Sequence, residues 1–439
     1  MRTISSTTST PAEENWKNHI GKDMSVHGMI YKIRKMSGFA FILLQTRIHM
    51  LQGVWSEKDS HFALDNLREG MAVVLSGQIV LEERSRNGWE LHIRSYQILS
   101  KPVAEFPIVV NQGNITTSME NLLDYRPLTL RNQKQRAIFK IQAGLCAGFR
   151  HFFNENGFTE IHTPKICAGT AEGGANVFRL DYFGKEAFLA TSPQFYKQEM
   201  VSVYERVYEI GPVFRAEKFD TSRHINEYTS IDCEIGFIQD FYDLMRLEIQ
   251  MLASVMKYLS ARYSEELRLL QVNVPQIGEI PVIPFAKAKA MVTDENSDYR
   301  SNPVDFEPGE EKRLCEIVKN ETGCEFVFVT QYPSSKRPFY TMDSPNNSET
   351  TESFDLLFRG MEITTGGQRI HDYARQIAKM KTRHMDTQKF SSYLMAHKFC
   401  LPPHGGMGIG MERLTAKLLG LDNVRYTTLF PRDTKRLEP

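Results

Sequence analysis

The sequence predicts an α+β protein in two parts, a small β-barrel followed by a larger domain on an antiparallel sheet. Three observations carry that expectation. Five short strand-patterned runs fall between Trp16 and Ser100, with one brief helix among them. From Gly157 to Phe237 short apolar strands recur between loops, with helical stretches on either side. Near the end, Pro402-Pro403-His404-Gly405-Gly406-Met407-Gly408-Ile409-Gly410 leads through Met411-Glu412-Arg413 into helical spacing at Leu414, Leu418 and Leu421.

Taken in order, residues 1–14 are Ser/Thr-rich without an apolar core, and read as a disordered tail rather than a secretory signal. Residues 15–105 form the barrel domain. Its strands are Val26 to Ile33, Phe39 to Leu44, Met50 to Trp55, Val73 to Val80 and Trp89 to Ile93, with the helix near His61 to Leu67. Residues 106–135, which follow Pro102 and include Pro107, lack periodicity and read as a hinge.

Residues 136–439 form the larger domain. Ile138, Ile141, Leu145, Phe149 and Phe152 recur at helical spacing, and Gly157 is a stop signal just beyond. Strands follow at Asn176 to Leu180, Ala187 to Ala190, Arg206 to Ile210 and Tyr228 to Phe237, then a helix over 240–262. Glu295 to Glu311 is polar, holds Pro303 and Pro308, and reads as loop-rich. Phe326 to Val329 and Phe354 to Phe358 read as buried strands.

Composition narrows the class. At 439 residues two or three domains are expected, and an apolar share of 41% with 24% charged residues is that of a soluble globular chain. Lys and Arg number 53, as do Asp and Glu, so any nucleic-acid surface must be a local patch within a neutral total. The six cysteines include no Cys-x-x-Cys pair, which argues against a zinc ribbon and fits reduced thiols in a cytoplasmic protein. No run approaches the roughly 18 apolar residues of a membrane helix.

Several polar groups stand out. Gly405, Gly406, Gly408 and Gly410 permit close approach of a ligand or a neighbouring strand, and Arg413 sits on the first turn of the helix beyond. Val213-Phe214-Arg215-Ala216-Glu217 places an Arg and a Glu two apart on a strand. Taken singly, each fits an ordinary turn or a solvated strand face as well as a site. Together, and in this order, they resemble the motifs of the class II aminoacyl-tRNA synthetases. Gly408-Ile409-Gly410-Met411-Glu412-Arg413 resembles the third motif and Val213 to Glu217 the second. The helix before Gly157, with Phe158-Thr159-Glu160-Ile161-His162-Thr163-Pro164, resembles the first, whose proline lies at a dimer interface. The ending Leu429-Phe430-Pro431-Arg432-Asp433-Thr434-Lys435-Arg436-Leu437 is similar to that of aspartyl-tRNA synthetases of the shorter archaeal and eukaryotic type. The likeness runs from about Gly28 to the C-terminus.

The resemblance implies an OB-fold anticodon-binding domain and a class II antiparallel-sheet catalytic domain. By it, Arg215 contacts the α-phosphate of ATP and the amino acid carboxylate, a task suited to a bidentate guanidinium. Glu217 accepts from the adenine amino group, Arg223 and His224 meet the outer phosphates, and Tyr228 and Arg413 stack on either side of adenine, beside Gly410. Glu362 and Thr365, in Gly360 to Arg369, hold Mg²⁺ on the triphosphate as hard oxygen ligands; the family commonly has Ser where Thr365 stands. Lys197 and Arg369 read the aspartate side chain, while Glu172 and Gln194 hold its ammonium group. Phe41 stacks on an anticodon base, and Gln52 and Glu90 read base edges. The domain departs from its relatives at Gly28-Met29, where many have Gly-Trp, and at Ile48-His49, where a turn rich in Asp and Gly is usual.

The implied activity is aspartate–tRNA ligation by a cytoplasmic homodimer: L-aspartate and ATP give aspartyl-adenylate, and the aspartyl group passes to the 3′ end of tRNA. Two rivals share parts of this pattern. A paralogue that hands the adenylate to a non-tRNA acceptor tends to lose the OB domain. A non-catalytic RNA-binding module has no need of Arg215, Glu217, Glu362 and Arg413 together.

Overall fold

The computed structural model describes residues 18–47, 49–85, 87–169, 176–293 and 302–439. The chain divides into two compact units, residues 1–115 and 116–439.

In the first unit, strands β1 (Asp23–Lys35), β2 (Phe39–Gln45), β3 (Met50–Ser56), β4 (Ala72–Leu81) and β5 (Trp89–Ser100) close into a barrel, in the order β1-β2-β3-β5-β4. Period-two alternation explains it. Along β2, Ala40, Ile42 and Leu44 point inward and are fully buried, while Phe39, Phe41 and Leu43 face outward. Leu51, Val73, Leu75, Ile79, Leu91 and Ile93 complete the interior.

The second unit is built on an eight-stranded sheet. In spatial order its strands are Val282–Pro284, Phe326–Thr330, Ser353–Phe358, Met361–Gln368, His404–Gly410, Glu227–Gly236, Arg206–Phe214 and Thr159–Glu160. The six central strands are antiparallel, and each edge strand joins in parallel. The long helix Gln133–Glu155 starts at Asn132, whose side chain accepts from the amides of Lys134 and Gln135, and ends before Gly157 at φ +74°. Its apolar face packs with the helix Tyr242–Arg262 on one side of the sheet.

The strand Phe326–Thr330 carries no polar–apolar alternation because both its faces are covered. Phe326 and Phe328 enter the core beneath the long helices, whereas Val327 and Val329 enter a second core with Leu314 and Val318. Those last two lie on the helix Pro308–Thr322. Part of the stretch expected to be loop-rich is therefore the start of a helix. Its signals were present: Pro308 at the first position, a Glu307–Glu310 capping box and Gly323 at φ +75°. The stretch 106–135 also differs from a plain hinge. Met119–Asp124 and Arg126–Thr129 are short helices, and residues from 116 onward belong to the second unit. Arg126 anchors them there. It is fully buried, and its guanidinium donates to the carbonyl oxygens of Tyr426, Thr428 and Leu429 at 2.8–3.2 Å. The 1–14 tail lies outside the described residues, as does Ile48.

Candidate active site

The second unit holds a cavity of about 390 Å³ on the face of its sheet. Arg215, Glu217, Arg223, His224, Tyr228, Gln194, Lys197, Glu362, Thr365, Arg369, Gly410 and Arg413 all line it. Glu172 lies outside the described residues. Along the wall, Lys and Arg outnumber Asp and Glu by seven to four. That excess of fixed positive charge suits an anionic ligand such as a polyphosphate.

Arg215 and Glu217 lie just past the strand Arg206–Phe214, not on it. Asn226 holds this turn. Its amide donates to the carbonyl oxygens of Arg215 and Glu217 at 2.6 and 2.9 Å, and its own carbonyl accepts from the Arg215 amide at 2.8 Å. Arg223 pairs with Glu311, whose carboxyl burial pushes up to about 7 even beside that guanidinium. His224 accepts from or donates to Thr221 Oγ1 across 2.6 Å. Burial, with the nearby Arg413 charge, lowers its pKa below the usual value, so the ring faces the cavity neutral at pH 7.

The strand Met361–Gln368 carries Glu362 and Thr365. Thr365 Oγ1 donates to Glu362 Oε1 at 3.0 Å, and an Arg413 amine donates to the Glu362 carbonyl at 3.1 Å. Burial alone would raise the Glu362 carboxyl, but the charges of Arg413 and Arg337 outweigh it and hold the group below its ordinary value. An ionised carboxylate beside a hydroxyl is a hard-oxygen pair of the kind Mg²⁺ accepts. No cluster of three or more acidic, His or Cys ligands occurs among the described residues, so a metal there needs oxygens from a bound nucleotide.

At the floor of the cavity lie two buried cations. Lys197, on the helix Gln194–Tyr204, is 2% exposed. Its Nζ donates to Asp232 Oδ1 at 2.8 Å and to the Met407 carbonyl at 3.0 Å, with Glu234 Oε2 at 3.5 Å. Arg369 Nε donates to Glu234 Oε1 at 2.9 Å, and a terminal amine donates to the Gly406 carbonyl at 2.9 Å. The same amine lies 3.5 Å from Gln194 Oε1.

The glycine strand makes room for these carboxylates. A Cβ on Gly406 would stand 2.0 Å from Glu234 Oε2 and 2.2 Å from the Cys233 carbonyl. Close approach at Gly406 therefore serves a neighbouring strand.

Asp232, Glu234, Asn226, Arg337 and Asp355 were not foreseen as site residues. The first two had a signal: in Ser230-Ile231-Asp232-Cys233-Glu234-Ile235 polar and apolar residues alternate, which puts Ser230, Asp232 and Glu234 on one face of a strand. Arg337, paired with Asp355 at 2.8 Å, comes from a loop with no such pattern.

On the barrel, Phe41 faces outward and makes an edge-to-face contact with Phe39, at 5.4 Å between ring centres. Gln52 lies on the next strand, with its Nε2 donating to Glu90 Oε2 at 3.0 Å. Glu90 is not solvated: it is 7% exposed, and its other oxygen lies 3.0 Å from His92 Nε2.

Comparison with known proteins agrees with this architecture. Residues 118–434 match the family model for class II tRNA synthetases (D, K and N), and residues 24–99 match the OB-fold nucleic acid binding domain. An aspartate–tRNA(Asp/Asn) ligase of Thermus thermophilus is 42% identical, over 96% of this chain and 98% of its own length. An aspartate–tRNA(Asp) ligase of Pyrococcus furiosus is 35% identical, over 95% and 97%. Asparaginyl-tRNA synthetase of Pyrococcus horikoshii, solved with asparaginyl-adenylate, superposes with a TM-score of 0.88 at 28% identity, covering 96% of this chain and 97% of the other. A family match over most of the chain, joined to near full-length identity with curated relatives, establishes that the chain belongs to the class II tRNA synthetases of the D, K and N group.

Proposed function

We propose that the chain is an aspartate–tRNA ligase. One observation carries the choice of amino acid. Lys197 and Arg369 are buried cations on the floor of the same cavity that Arg215, Glu217 and Arg413 line. A side-chain carboxylate would find two positive partners there with little competing water.

In this reading an aspartate α-carboxylate oxygen attacks the α-phosphorus of ATP, and pyrophosphate leaves with the bonding pair. Arg215 binds both reacting groups and meets the charge that gathers between them. Glu217 accepts from the adenine amino group, and Tyr228 and Arg413 bracket the base. Arg223 and neutral His224 donate hydrogen bonds to the outer phosphates. Gln194, with Glu172, holds the ammonium group. Glu362 and Thr365 would hold Mg²⁺, which when bound neutralises triphosphate charge. The tRNA 3′-terminal hydroxyl then attacks the adenylate carbonyl, and AMP leaves. Phe41, Gln52 and Glu90 meet the anticodon, with the Gln52 amide aimed by its bond to Glu90.

The barrel supports a tRNA acceptor rather than another nucleophile. The six free thiols suit a cytoplasmic enzyme, and among the described residues no helix is long and apolar enough to cross a membrane. We take the enzyme to be a homodimer, with exposed Pro164 at its interface.

Aspartate-dependent pyrophosphate exchange tests the first half-reaction, and absence of exchange with aspartate alone among the amino acids would overturn the assignment. A broader tRNA range is favoured by relatives at 42%, 41% and 38% identity that are named aspartate–tRNA(Asp/Asn) ligases. Charging of purified aspartate and asparagine tRNAs side by side decides that point.

A further inference from the structure

Behind the two floor cations lies a layer of buried polar groups that the reaction itself does not use. His404 opens the glycine strand and is fully buried. Its Nδ1 lies 2.9 Å from the Pro402 carbonyl oxygen, which can only accept, so Nδ1 carries the proton. Its Nε2 then presents a lone pair, 3.0 Å from Gln198 Nε2, and accepts from that amide. Gln198 is also fully buried, and its Oε1 lies 3.4 Å from the Tyr393 hydroxyl. Every donor and acceptor in this chain therefore has one direction.

The two residues join the elements that carry the floor cations. Gln198 follows Lys197 on the same helix. The His404 carbonyl accepts from the Arg369 amide at 2.9 Å. We propose that His404 and Gln198 form a neutral latch that sets the spacing between Lys197 and Arg369, and so act as positioning residues for the side-chain end of the amino acid pocket. The inference rests on the reading of Lys197 and Arg369 as the partners of that carboxylate. Burial pushes the His404 ring down to about 4, so the latch stays uncharged at neutral pH between Glu234, Arg369 and His397.

The test is steady-state pyrophosphate exchange by the full-length enzyme carrying His404→Leu, His404→Gln, Gln198→Leu or the Leu pair, with Lys197→Leu run alongside. His404→Leu should raise the KM for aspartate about tenfold and leave that for ATP within about twofold, since a buried amide loses its acceptor. His404→Gln offers an amide oxygen to Gln198 and should recover most of the loss. The double variant should be no worse than the poorer single one, because both remove the same bond. Gln198→Leu should show the same split, which keeps the test open if His404→Leu does not fold. Equal effects on both substrates, no recovery by Gln, or additive losses would overturn the latch. If Lys197→Leu is selective for aspartate while the latch variants are not, only the latch falls. If Lys197→Leu is itself unselective, the underlying reading falls and the latch with it.

Discussion

Lys197 Nζ and Asp232 Oδ1 are 2.8 Å apart, and their side chains are 2% and 4% exposed. The cation that would bind a substrate carboxylate is thus already engaged by one from the protein. A lysine so placed is held in position by the protein before any ligand arrives, which is preorganisation rather than recruitment.

Lys197→Leu should therefore have two effects. Asp232 and Glu234 would be left buried without one cation, costing about 3–5 kcal/mol of stability and lowering the melting temperature. The KM for aspartate should rise far more than that for ATP, by the equivalent of about 2–5 kcal/mol. Equal rises in both constants, measured by pyrophosphate exchange, would place Lys197 outside the amino acid pocket.

Arg215→Ala should abolish exchange while the protein stays folded. Removing a donor aimed at the transition state typically costs roughly two to three decades of rate. Circular dichroism checks the fold, and near-normal exchange would remove Arg215 from the chemistry.

Two glycines of one strand should behave differently. Gly406→Ala drives a Cβ into Glu234 and the Cys233 carbonyl and should destabilise the chain by about 1–3 kcal/mol or more. Gly410→Ala meets nothing nearer than 3.6 Å, and should melt close to wild type. Thermal unfolding of the pair compares them directly.

Glu248 sets a pH dependence of stability. It is fully buried, accepts from Thr364 Oγ1 at 2.6 Å, and burial pushes its pKa from 4.5 up to about 8. The folded state holds the proton that the unfolded state releases above about 4.5. Its stabilising effect is full below that pH and is lost as pH rises towards about 8, at most about 1.4 kcal/mol per pH unit. Glu248→Gln mimics the protonated acid. Its melting temperature should gain on wild type steadily between those values; a constant gap across them would show that Glu248 does not titrate with folding.

Phe41→Ala should leave pyrophosphate exchange intact and weaken tRNA charging, because base–aromatic stacking is worth about 1–3 kcal/mol per base. The ring points outward, opposite to Ala40, Ile42 and Leu44, so its removal leaves the barrel core in place. Charging equal to wild type would mean that the ring does not meet the anticodon.

The barrel was legible because one face of each strand meets water. Ala40, Ile42 and Leu44 alternate with outward residues, and that period survives in the sequence. The helix Pro308–Thr322 was equally written, in its capping box and terminal glycine, but its apolar positions are few. Phe326 to Val329 and Phe354 to Phe358 read as buried strands, yet nothing in Phe326-Val327-Phe328-Val329 says which side chain enters which core.

Residue types and their order thus determined the two-part architecture, the glycine strand leading into a helix, and many, but not all, of the charged groups that line the cavity. These depend on local period, backbone freedom and chemistry, which a sequence carries directly. Tertiary structure alone decided the partners of those groups. Lys197 and Asp232 are 35 residues apart, and Arg369 and Glu234 are 135 apart. No local pattern encodes such a pairing, because it follows from strand order and register across the sheet. Burial then turns an unremarkable lysine into a fixed charge, since only exclusion from water makes its carboxylate neighbours count.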